Sequence, residues 1–575
     1  MIKQLFSGVS DSGKKKKIFI AVFASILLIA AVIGIVAGVN SKTTNTQSDN
    51  IRASAAHAIV KSSCSITLHP ELCYSTVASV PGMTEKVKSL RDVIELALEK
   101  TKERVQTNKL IIKTLAARKN LTKRGKIAVH DCLEMVDDTL EELDVVIEYV
   151  KNYATRKGIR KHVDDIITYM STTITNQQTC IDGFSHNKPE RHLRESIIGG
   201  EDNAGKLCSN SLALIKNMTD TDMANEVQTN TNTRKLMNED DENWPEWLSA
   251  GDRRLLQSGN VRANVVVAAD GSGNFRTISQ AVAAAPSRSS SRYVIRIKAG
   301  VYRENVDVPS SKTNLMFLGD GQTKTIVTAS RSVGGGSTTF NSATVAVVGA
   351  GFLARGITFQ NTAGPANEQA VALRVGSDKS AFYECGFIAH QDTLYVHTNR
   401  QFYTNCYVAG TVDFIFGNAA VVLQNCDINA RRPGPSQKNM LTAQGRTDPN
   451  QNTGIVIQKC RIGATSDLKP VQGTFPTYLG RPWKEYSRTV VMQTTIGNVI
   501  HPNGWFPWDG NFALNTLYYG EYQNNGAGAS TSNRVRWGGY RVITNAAEAR
   551  GFTPGNFING GSWLGNTGFP FSLGL

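Results

Sequence analysis

Residues 389–419, AHQDTLYVHTNRQFYTNCYVAGTVDFIFGNA, carry two aspartates in segments that otherwise have the composition of buried strands. Asp392 and Asp413 lie 21 residues apart, and Cys385, Cys406 and Cys426 repeat at spacings of 21 and 20. A period of about 20–25 residues in strand-forming sequence is typical of a parallel β-helix with one coil per repeat. A β-sandwich also contains many short strands, but it does not predict this register.

The same period places polar side chains on neighbouring coils, which stack about 4.8 Å apart. Asp392 and Asp413 become vertical neighbours, and Gln369, 22 residues before Gln391, falls on the preceding coil. Two close carboxylates repel, so one tends to hold a proton while the other stays ionised. An acid beside a charged base or nucleophile is a working hydrolytic pair. We therefore predict a hydrolytic site at these four residues, with turn or capping positions as the alternative for either aspartate alone.

The whole chain has 575 residues, more than one compact core accommodates, so two or more domains are expected. Its net charge is +15, and residues 257–575 contribute 28 basic against 16 acidic side chains, a net +12. A basic surface attracts polyanions, but charge alone does not choose between nucleic acid, acidic lipid and acidic polysaccharide.

The N-terminus indicates the compartment. Residues 18–39 carry no charge and follow a lysine cluster at 14–17. Because this length can span a bilayer, we interpret residues 1–52 as a cytoplasmic and signal-anchor segment; a long cleaved signal peptide is the alternative. Either one sends the rest of the chain into the secretory pathway, where Asn120 and Asn217 in N-x-T triplets are candidate glycosylation sites.

Residues 53–225 have helical periodicity. Apolar residues over 133–150 alternate at spacings of three and four, which places them on one helix face. Similar segments near 91–105 and 160–175 favour an antiparallel helical bundle. This region shows neither metal-ligand spacing nor a catalytic constellation.

Nine cysteines are distributed over both halves of the chain. In an oxidising compartment the helical half has candidate disulfides at Cys64–Cys73 and Cys132–Cys180, which leaves Cys208 unpaired; buried thiols throughout are the alternative. In the strand half, the adjacent-coil cysteines Cys406–Cys426 have the Cα separation that a disulfide needs, and so do Cys385–Cys406. We predict the Cys406–Cys426 pair.

Residues 226–257 connect the two halves and are rich in Thr, Asn and Asp. They contain Arg253, Arg254, Leu255 and Leu256 in polar, glycine-flanked surroundings. Proteases cut exposed segments of this kind, so we predict a linker with a processing site before the strand domain at 258–575.

Five motifs of the strand domain resemble, in order, the signature segments of plant pectin methylesterases. They are GVYRE (300–304), QAVAL (369–373), QDTL (391–394), DFIFG (413–417) and LGRPW (479–483). The helical half resembles the pectin methylesterase inhibitor domain, a four-helix bundle with two disulfides and a fifth cysteine. Together they resemble a plant pro-enzyme in which an inhibitor-like pro-region precedes the esterase, and RRLL (253–256) resembles its dibasic processing site.

This resemblance implies a right-handed parallel β-helix that hydrolyses galacturonate methyl esters in pectin to pectate and methanol, in the plant cell wall. It assigns Asp413 as nucleophile and Asp392 as general acid and later base. Amide N–H groups of Gln391 and Gln369 stabilise the oxyanion without adding charge. Arg481 holds Asp413 ionised and oriented; an ordinary surface salt bridge is the alternative for Arg481.

Two further residues are implied as substrate contacts. Trp483 can stack against a sugar ring, with core packing as the alternative, and Thr338 lies where the family contacts substrate. No metal or cofactor is implied, because the attacking groups are carboxylate and water. The implied partners are pectin, separate inhibitor proteins of the helical-bundle family and a processing subtilisin-like protease, with no nucleic acid and a membrane only through the N-terminal segment.

Two other functions fit parts of the pattern. Paired aspartates also serve glycosidases, and pectin-degrading lyases share the β-helix, but a lyase would need a calcium-binding carboxylate cluster and a basic proton abstractor. A catalytically silent pectin-binding or inhibitor protein is the other alternative, against which the intact Asp392 and Asp413 argue. Methanol release from pectin without chain cleavage distinguishes the three.

Overall fold

The computed structural model of the chain describes residues 45–152, 159–184, 191–229 and 261–575. The predicted signal-anchor stretch at 18–39 and the processing residues at 253–256 lie outside these ranges. Within them, no helix combines the length and the apolar character needed to cross a membrane.

The N-terminal half is helical, as predicted. Its described helices are α1 (Asn45–Cys64), α2 (Pro70–Ala78), α3 (Met83–Lys86), α4 (Leu90–Ala116), α5 (Lys123–Lys151), α6 (Ile159–Asp182) and α7 (Arg191–Thr229). The long helices α4–α7 form a four-helix bundle in which α5 and α7 each pack against both α4 and α6. The predicted apolar face of α5 is buried in the bundle at Val136, Leu143 and Val150. Helix α7 continues to Thr229, four residues beyond the predicted end of the domain at 225.

Two disulfides join helices of this bundle. Cys64–Cys73 links α1 to α2, and Cys132–Cys180 links α5 to α6. Both predicted pairs are confirmed, and Cys208 is a buried free thiol.

The C-terminal half consists of short parallel strands. They are β1 (Val265–Val267), β2 (Tyr293–Ile297), β3 (Gly300–Arg303), β4 (Val306–Val308), β5 (Leu315–Gly319), β6 (Thr325–Ala329), β7 (Val345–Val347), β8 (Leu353–Arg355), β9 (Thr358–Asn361), β10 (Leu373–Val375), β11 (Ser380–Tyr383), β12 (Gly386–Ile388), β13 (Leu394–Val396), β14 (Arg400–Thr404), β15 (Tyr407–Gly410), β16 (Ile415–Gly417), β17 (Ala420–Gln424), β18 (Asp427–Ala430), β19 (Asn439–Gln444), β20 (Gly454–Gln458), β21 (Arg461–Ala464), β22 (Thr477–Gly480), β23 (Arg488–Met492), β24 (Thr495–Ile496), β25 (Tyr518–Tyr522) and β26 (Tyr540–Val542). Three short helices accompany them, α8 (Ile278–Ala284), α9 (Ala546–Arg550) and α10 (Pro554–Phe557).

These strands form the predicted parallel β-helix, whose walls are three sheets. Sheet A has eleven strands in the order β1-β2-β5-β8-β11-β14-β17-β20-β23-β25-β26. Sheet B has eight, β24-β21-β18-β15-β12-β9-β6-β3, and sheet C has seven, β22-β19-β16-β13-β10-β7-β4. In each sheet the neighbours of a strand come from the coils before and after it, so the chain passes through the three walls in turn.

Inside the coils, identical positions stack on one another. Leu373 lies opposite Leu394, and Leu394 lies opposite Ile415, which gives 21 residues per coil at this level. Aromatic rings continue the stacks, for example Phe382 on Tyr403 with ring centroids 4.7 Å apart. Burial of such side chains is the dominant favourable contribution to the stability of the coils.

The cysteines of the β-helix also stack, but as thiols. Cys385, Cys406, Cys426 and Cys460 occupy successive coils, and all four are free and buried. The predicted Cys406–Cys426 disulfide is therefore wrong. The sulfur atoms have main-chain partners instead: the Cys406 thiol donates to the carbonyl oxygen of Thr404 at 3.3 Å, and Cys426 Sγ accepts from the backbone N–H of Cys406 at 3.4 Å.

Candidate active site

Asp392 and Asp413 occupy equivalent positions, each two residues before a strand of sheet C. Because Leu394 pairs with Ile415, the two aspartates lie side by side on adjacent coils, as predicted. Both are buried, and both have left-handed backbone conformations, with φ of 61° and 51°. Non-glycine residues adopt this conformation uncommonly, and such residues cluster at functional sites.

Arg481 follows strand β22 and reaches the second aspartate. Its Nε donates to Asp413 Oδ1 at 2.8 Å, and its Nη2 donates to Asp413 Oδ2 at 2.6 Å. The other side of the guanidinium is covered by the Trp508 ring, whose centroid is 4.3 Å from Arg481 Cζ. The two parallel hydrogen bonds fix the carboxylate in one orientation.

Asp392 has a different environment. Burial raises the pKa of Asp392 well above its usual range, the neighbouring charge of Asp413 raises it further, and Arg481 opposes both effects. Asp392 is therefore a proton donor at a pH where an ordinary aspartate is ionised. A protonated acid next to an Arg-bound carboxylate supplies a proton donor and a nucleophile, a pair that can carry out acyl transfer.

The two glutamines do not share the register that their spacing predicts. Since Ala370 N–H donates to the carbonyl oxygen of Gln391 at 3.2 Å, Ala370 rather than Gln369 lies opposite Gln391. The coil is 21 residues long here, so Gln369 is displaced by one residue along the chain. Both glutamines are half-buried, and the buried side-chain oxygen of Gln369 has no hydrogen-bonding partner among the described residues.

The two predicted substrate contacts differ in their surroundings. Trp483 is half-buried, with its ring centroid 6.0 Å from that of Phe416. Thr338 is fully buried because the helical bundle covers it, and its hydroxyl donates to the Asp131 carboxylate of α5.

Helix α6 covers the neighbouring part of sheet C with a row of hydroxyl side chains. Thr179 Oγ1 and His397 Nε2 are 2.9 Å apart. Asn418 Nδ2 donates to Thr175 Oγ1 at 2.8 Å, while Thr172 donates to Asn399 Oδ1 at 3.0 Å. The bundle and sheet C also share a hydrophobic cluster that includes Phe340, Tyr395, Phe416 and Trp483. The bundle thus covers the part of sheet C that continues from the aspartate pair.

Cations of the β-helix pair with acids of the bundle across this interface. The shortest contacts are Arg400 Nη2 to Asp165 Oδ1 at 2.5 Å, Lys484 Nζ to Asp182 Oδ1 at 3.0 Å, and Arg374 Nη2 to Glu134 Oε1 at 3.4 Å. The covered surface is therefore basic, and the covering surface is acidic.

Arg374 and Trp508 were not identified from the sequence. A signal for Arg374 exists, since it is a cation between the apolar residues Leu373 and Val375 of a strand. Trp508 lies in the aromatic, Pro- and Gly-containing stretch 504–510, which resembles any surface loop. Its position beside Arg481 depends on a contact that sequence spacing does not indicate.

Residues 264–561 match the family model described as Pectinesterase, and residues 58–214 match the one described as Plant invertase/pectin methylesterase inhibitor. The chain belongs to the pectinesterase family. Pectinesterase 1 of Citrus sinensis and Pectinesterase/pectinesterase inhibitor U1 of Solanum lycopersicum are each 62% identical to it over the full length of both chains. The solved structure of pectin methylesterase from carrot is 77% identical, covers 56% of this chain and 100% of its own, and has a TM-score of 0.55.

The predicted enzyme class is thereby confirmed. This pectinesterase is a carboxylic ester hydrolase that acts on the methyl esters of pectin, and its helical half is an inhibitor-type domain. The carrot enzyme is a folded chain that matches 56% of this one over its whole length, which is the length of the esterase part and not of both domains.

Proposed function

We propose that Asp413 is the nucleophile and Asp392 the general acid of pectin methyl ester hydrolysis. The observation that carries this assignment is the double hydrogen bond from Arg481 to Asp413, beside a buried Asp392 with a raised pKa. An oriented carboxylate is ready to attack, and its protonated neighbour is ready to donate.

The reaction then proceeds in two steps. An oxygen of Asp413 attacks the ester carbonyl and forms a tetrahedral oxyanion, which accepts hydrogen bonds from the side-chain amides of Gln391 and Gln369. The C–O bond to methoxide breaks as Asp392 donates its proton, so methanol leaves and an acyl-enzyme anhydride remains. Asp392, now a carboxylate, removes a proton from water; the hydroxide attacks the anhydride, and free galacturonate and Asp413 are released.

The remaining roles concern the sugar chain. Trp483 stacks against a sugar ring next to the reacting unit, and Thr338 contacts substrate once the bundle has left. Both lie on the surface that the bundle covers, which supports a common role in substrate binding.

We further infer that the chain is a pro-enzyme. Residues 1–52 direct it into the secretory pathway, residues 53–225 form the inhibitor-like pro-region, residues 226–257 are cut at the RRLL sequence by a subtilisin-like protease, and residues 258–575 act on pectin in the cell wall. The exposed Asn120 and Asn217 carry glycans on this route. Supporting this order, α5 and α6 hydrogen-bond to Thr338 and His397 on the β-helix, in the region of the aspartate pair.

Methanol release from methylated pectin by the esterase part tests the catalytic assignment. Asp413→Asn should lower kcat by roughly 10³-fold or more, and Asp392→Asn should be severe but leave residual turnover. Asp427→Asn is the matched control, because Asp427 forms the same double hydrogen bond with Arg461 on the outer surface of sheet B. Near-normal methanol release by Asp413→Asn would refute the nucleophile assignment.

A further inference from the structure

Arg374 is a buried cation whose hydrogen-bonding capacity is largely unused. Its side chain is only 4% exposed, and its Cζ lies 3.4 Å from the centroid of the Phe340 ring. Nη2 has a long contact of 3.4 Å to Glu134, while Nε and Nη1 have no partner among the described residues. A buried, charged side chain with unpaired N–H groups costs folding free energy. The site therefore suits a hydrogen-bonding partner that would use more of these N–H groups than Glu134 does.

The residue belongs to the outer surface of the β-helix rather than to its core. Leu373 and Val375 point inward and are fully buried in the interior cluster, so Arg374 between them points outward, towards the bundle. Its cover is the acidic helix α5 of the inhibitor-type domain, and not another coil. Departure of the bundle therefore exposes the guanidinium.

The acids of α5 bind two polar groups of this surface at once. Asp131 accepts a hydrogen bond from Thr338, and Glu134, three residues later, faces Arg374. Residues three apart on a helix lie on one face, about 5–6 Å from each other. Two carboxyl groups at this spacing resemble the acid groups of neighbouring galacturonate units without their methyl groups.

We propose that Arg374 binds the carboxylate of a de-esterified galacturonate unit of pectin, and that Glu134 occupies this place in the uncut chain. The proposal rests on the pectin esterase function. It adds a residue that favours the partly de-esterified regions of pectin as substrate. A guanidinium binds a carboxylate through parallel hydrogen bonds and full charge, whereas a methyl ester is neutral and accepts weakly. The site thus favours ester groups that have free acids nearby.

Arg374 lies far enough from the aspartate pair to bind a different galacturonate unit of the pectin chain whose ester reacts there. Arg374 pairs with Tyr395 on the next coil, three residues beyond Asp392. That spacing corresponds to about 10 Å along the strand and about 4.8 Å between coils. The buried ring of Tyr395, stacked on Phe416 with centroids 4.2 Å apart, lies between the two points and offers a flat surface to a sugar.

The test compares two substrates on the isolated esterase part, fully methylated pectin and partly de-esterified pectin. For Arg374→Gln we expect the ratio of kcat/KM on the partly de-esterified to that on the fully methylated substrate to fall about tenfold, since a charged hydrogen-bonded contact is worth at least that factor. Calorimetric affinity for a hexamer of unmethylated galacturonate should fall by the same factor. Arg296→Gln is the control of equal charge: Arg296 pairs with Asp320 on sheet A, away from sheet C, and its loss should leave the ratio unchanged.

Every outcome is decisive. An unchanged ratio, or an equal loss on both substrates, overturns the proposal, because the residue then has no role or only a structural one. If Arg374→Gln fails to fold, Arg374→Lys replaces it: the charge remains but the parallel hydrogen bonds are lost, so the ratio should still fall, and a wild-type ratio overturns the proposal. Failure of the catalytic assignment is distinguishable, because Asp413→Asn is scored by methanol release from either substrate.

Discussion

Arg481 binds both carboxylate oxygens of Asp413, although 68 positions separate the two residues in the chain. The same double hydrogen bond joins Arg461 to Asp427 on sheet B, at 2.6 Å and 2.8 Å. The environments differ: the side chains of Arg481 and Asp413 are 23% and 7% exposed, whereas those of Arg461 and Asp427 are 64% and 42% exposed. Since water screens charge, the pair at the active site is the stronger one and the surface pair contributes little.

Arg481→Gln should therefore lower kcat/KM for methanol release by about 100-fold or more, because the nucleophile loses both donors that orient it. Arg461→Gln removes an equal number of hydrogen bonds and the same charge, and it should leave turnover within about twofold. Arg481→Lys should remain strongly impaired, since an ammonium group cannot form the two parallel bonds. Equal activities of the Arg481 and Arg461 variants would show that the pair at the active site has no catalytic role.

The raised pKa of Asp392 predicts a pH-dependent cost to stability. In the unfolded chain this carboxyl ionises in the ordinary aspartate range, whereas burial and Asp413 keep it protonated in the fold. Stability is therefore fully present at acid pH and falls as pH rises towards the folded-state pKa. Asp392→Asn should raise the melting temperature of the full chain at about pH 7 and lose this advantage at about pH 4.

Asp413→Asn provides the contrast for that measurement. It leaves the half-buried charge of Arg481 without its partner, so it should lower the melting temperature at both pH values. A melting temperature of Asp392→Asn that exceeds the wild-type value equally at both pH values would contradict a titration of Asp392.

The sequence predicts the aspartate pair because the stacking of backbone coils alone places residues 21 positions apart next to each other. It predicts the glutamines less well: their spacing of 22 residues predicts one coil, but the coil has 21 residues here, so Gln369 is displaced by one residue. The period also puts Cys406 and Cys426 next to each other, but it does not say where the sulfur atoms point, and here they bind the main chain.

Contacts between the two domains could not be predicted from either half separately. Thr338 was expected to contact substrate, yet its hydroxyl binds Asp131, some 200 positions away in a helix with a different period. The contact of Arg374 with Glu134 becomes visible only when α5 is placed over sheet C. No spacing rule connects a helix face to a coil of another domain, so these pairings depend on tertiary packing.

Three acids of α5 should make the docking of the bundle pH-dependent. Burial raises the pKa of Glu142 well above its usual range. Burial raises the pKa of Asp131 and of Asp138 to about 7, and Arg374 opposes this shift at both. Each acid keeps its proton when docked but releases it more readily once exposed, so docking is strongest in acid and weakens as pH rises through about 4 to 7. We expect hydrogen exchange in α5 of the full chain to accelerate over that range.

The triple variant Asp131→Asn, Asp138→Asn and Glu142→Gln should flatten this pH profile, because none of the three amides titrates. Asp144→Asn is the control on the same helix: its side chain is 59% exposed and pairs with Lys102 of α4, so the profile should stay that of the wild type. A flat profile in the wild-type chain would mean that these carboxyls do not couple to docking.

Cleavage of the linker should release the enzyme from its cover. The bundle buries Thr338 and pairs with Arg374, Arg400 and Lys484, on the surface that continues from the aspartate pair. While the linker is intact, the effective concentration of the bundle at this surface is on the order of mM for a flexible tether, so even a weak inhibitor stays bound. After the cut the bundle diffuses away. Arg253→Ala with Arg254→Ala should therefore give an uncut chain that is retained in the secretory route or poorly active at the wall.

The size and the specific activity of the protein extracted from the wall measure this outcome. A second basic pair at 234–235 supplies the control, since its replacement by alanines should leave processing intact. A fragment that still starts near Gln257 in the Arg253–Arg254 variant means that cleavage uses another site. Full activity of the uncut chain would mean that the bundle does not inhibit its own esterase, because a bundle that stayed docked near the aspartates would exclude pectin. The acidic face of α5 would then serve folding or targeting.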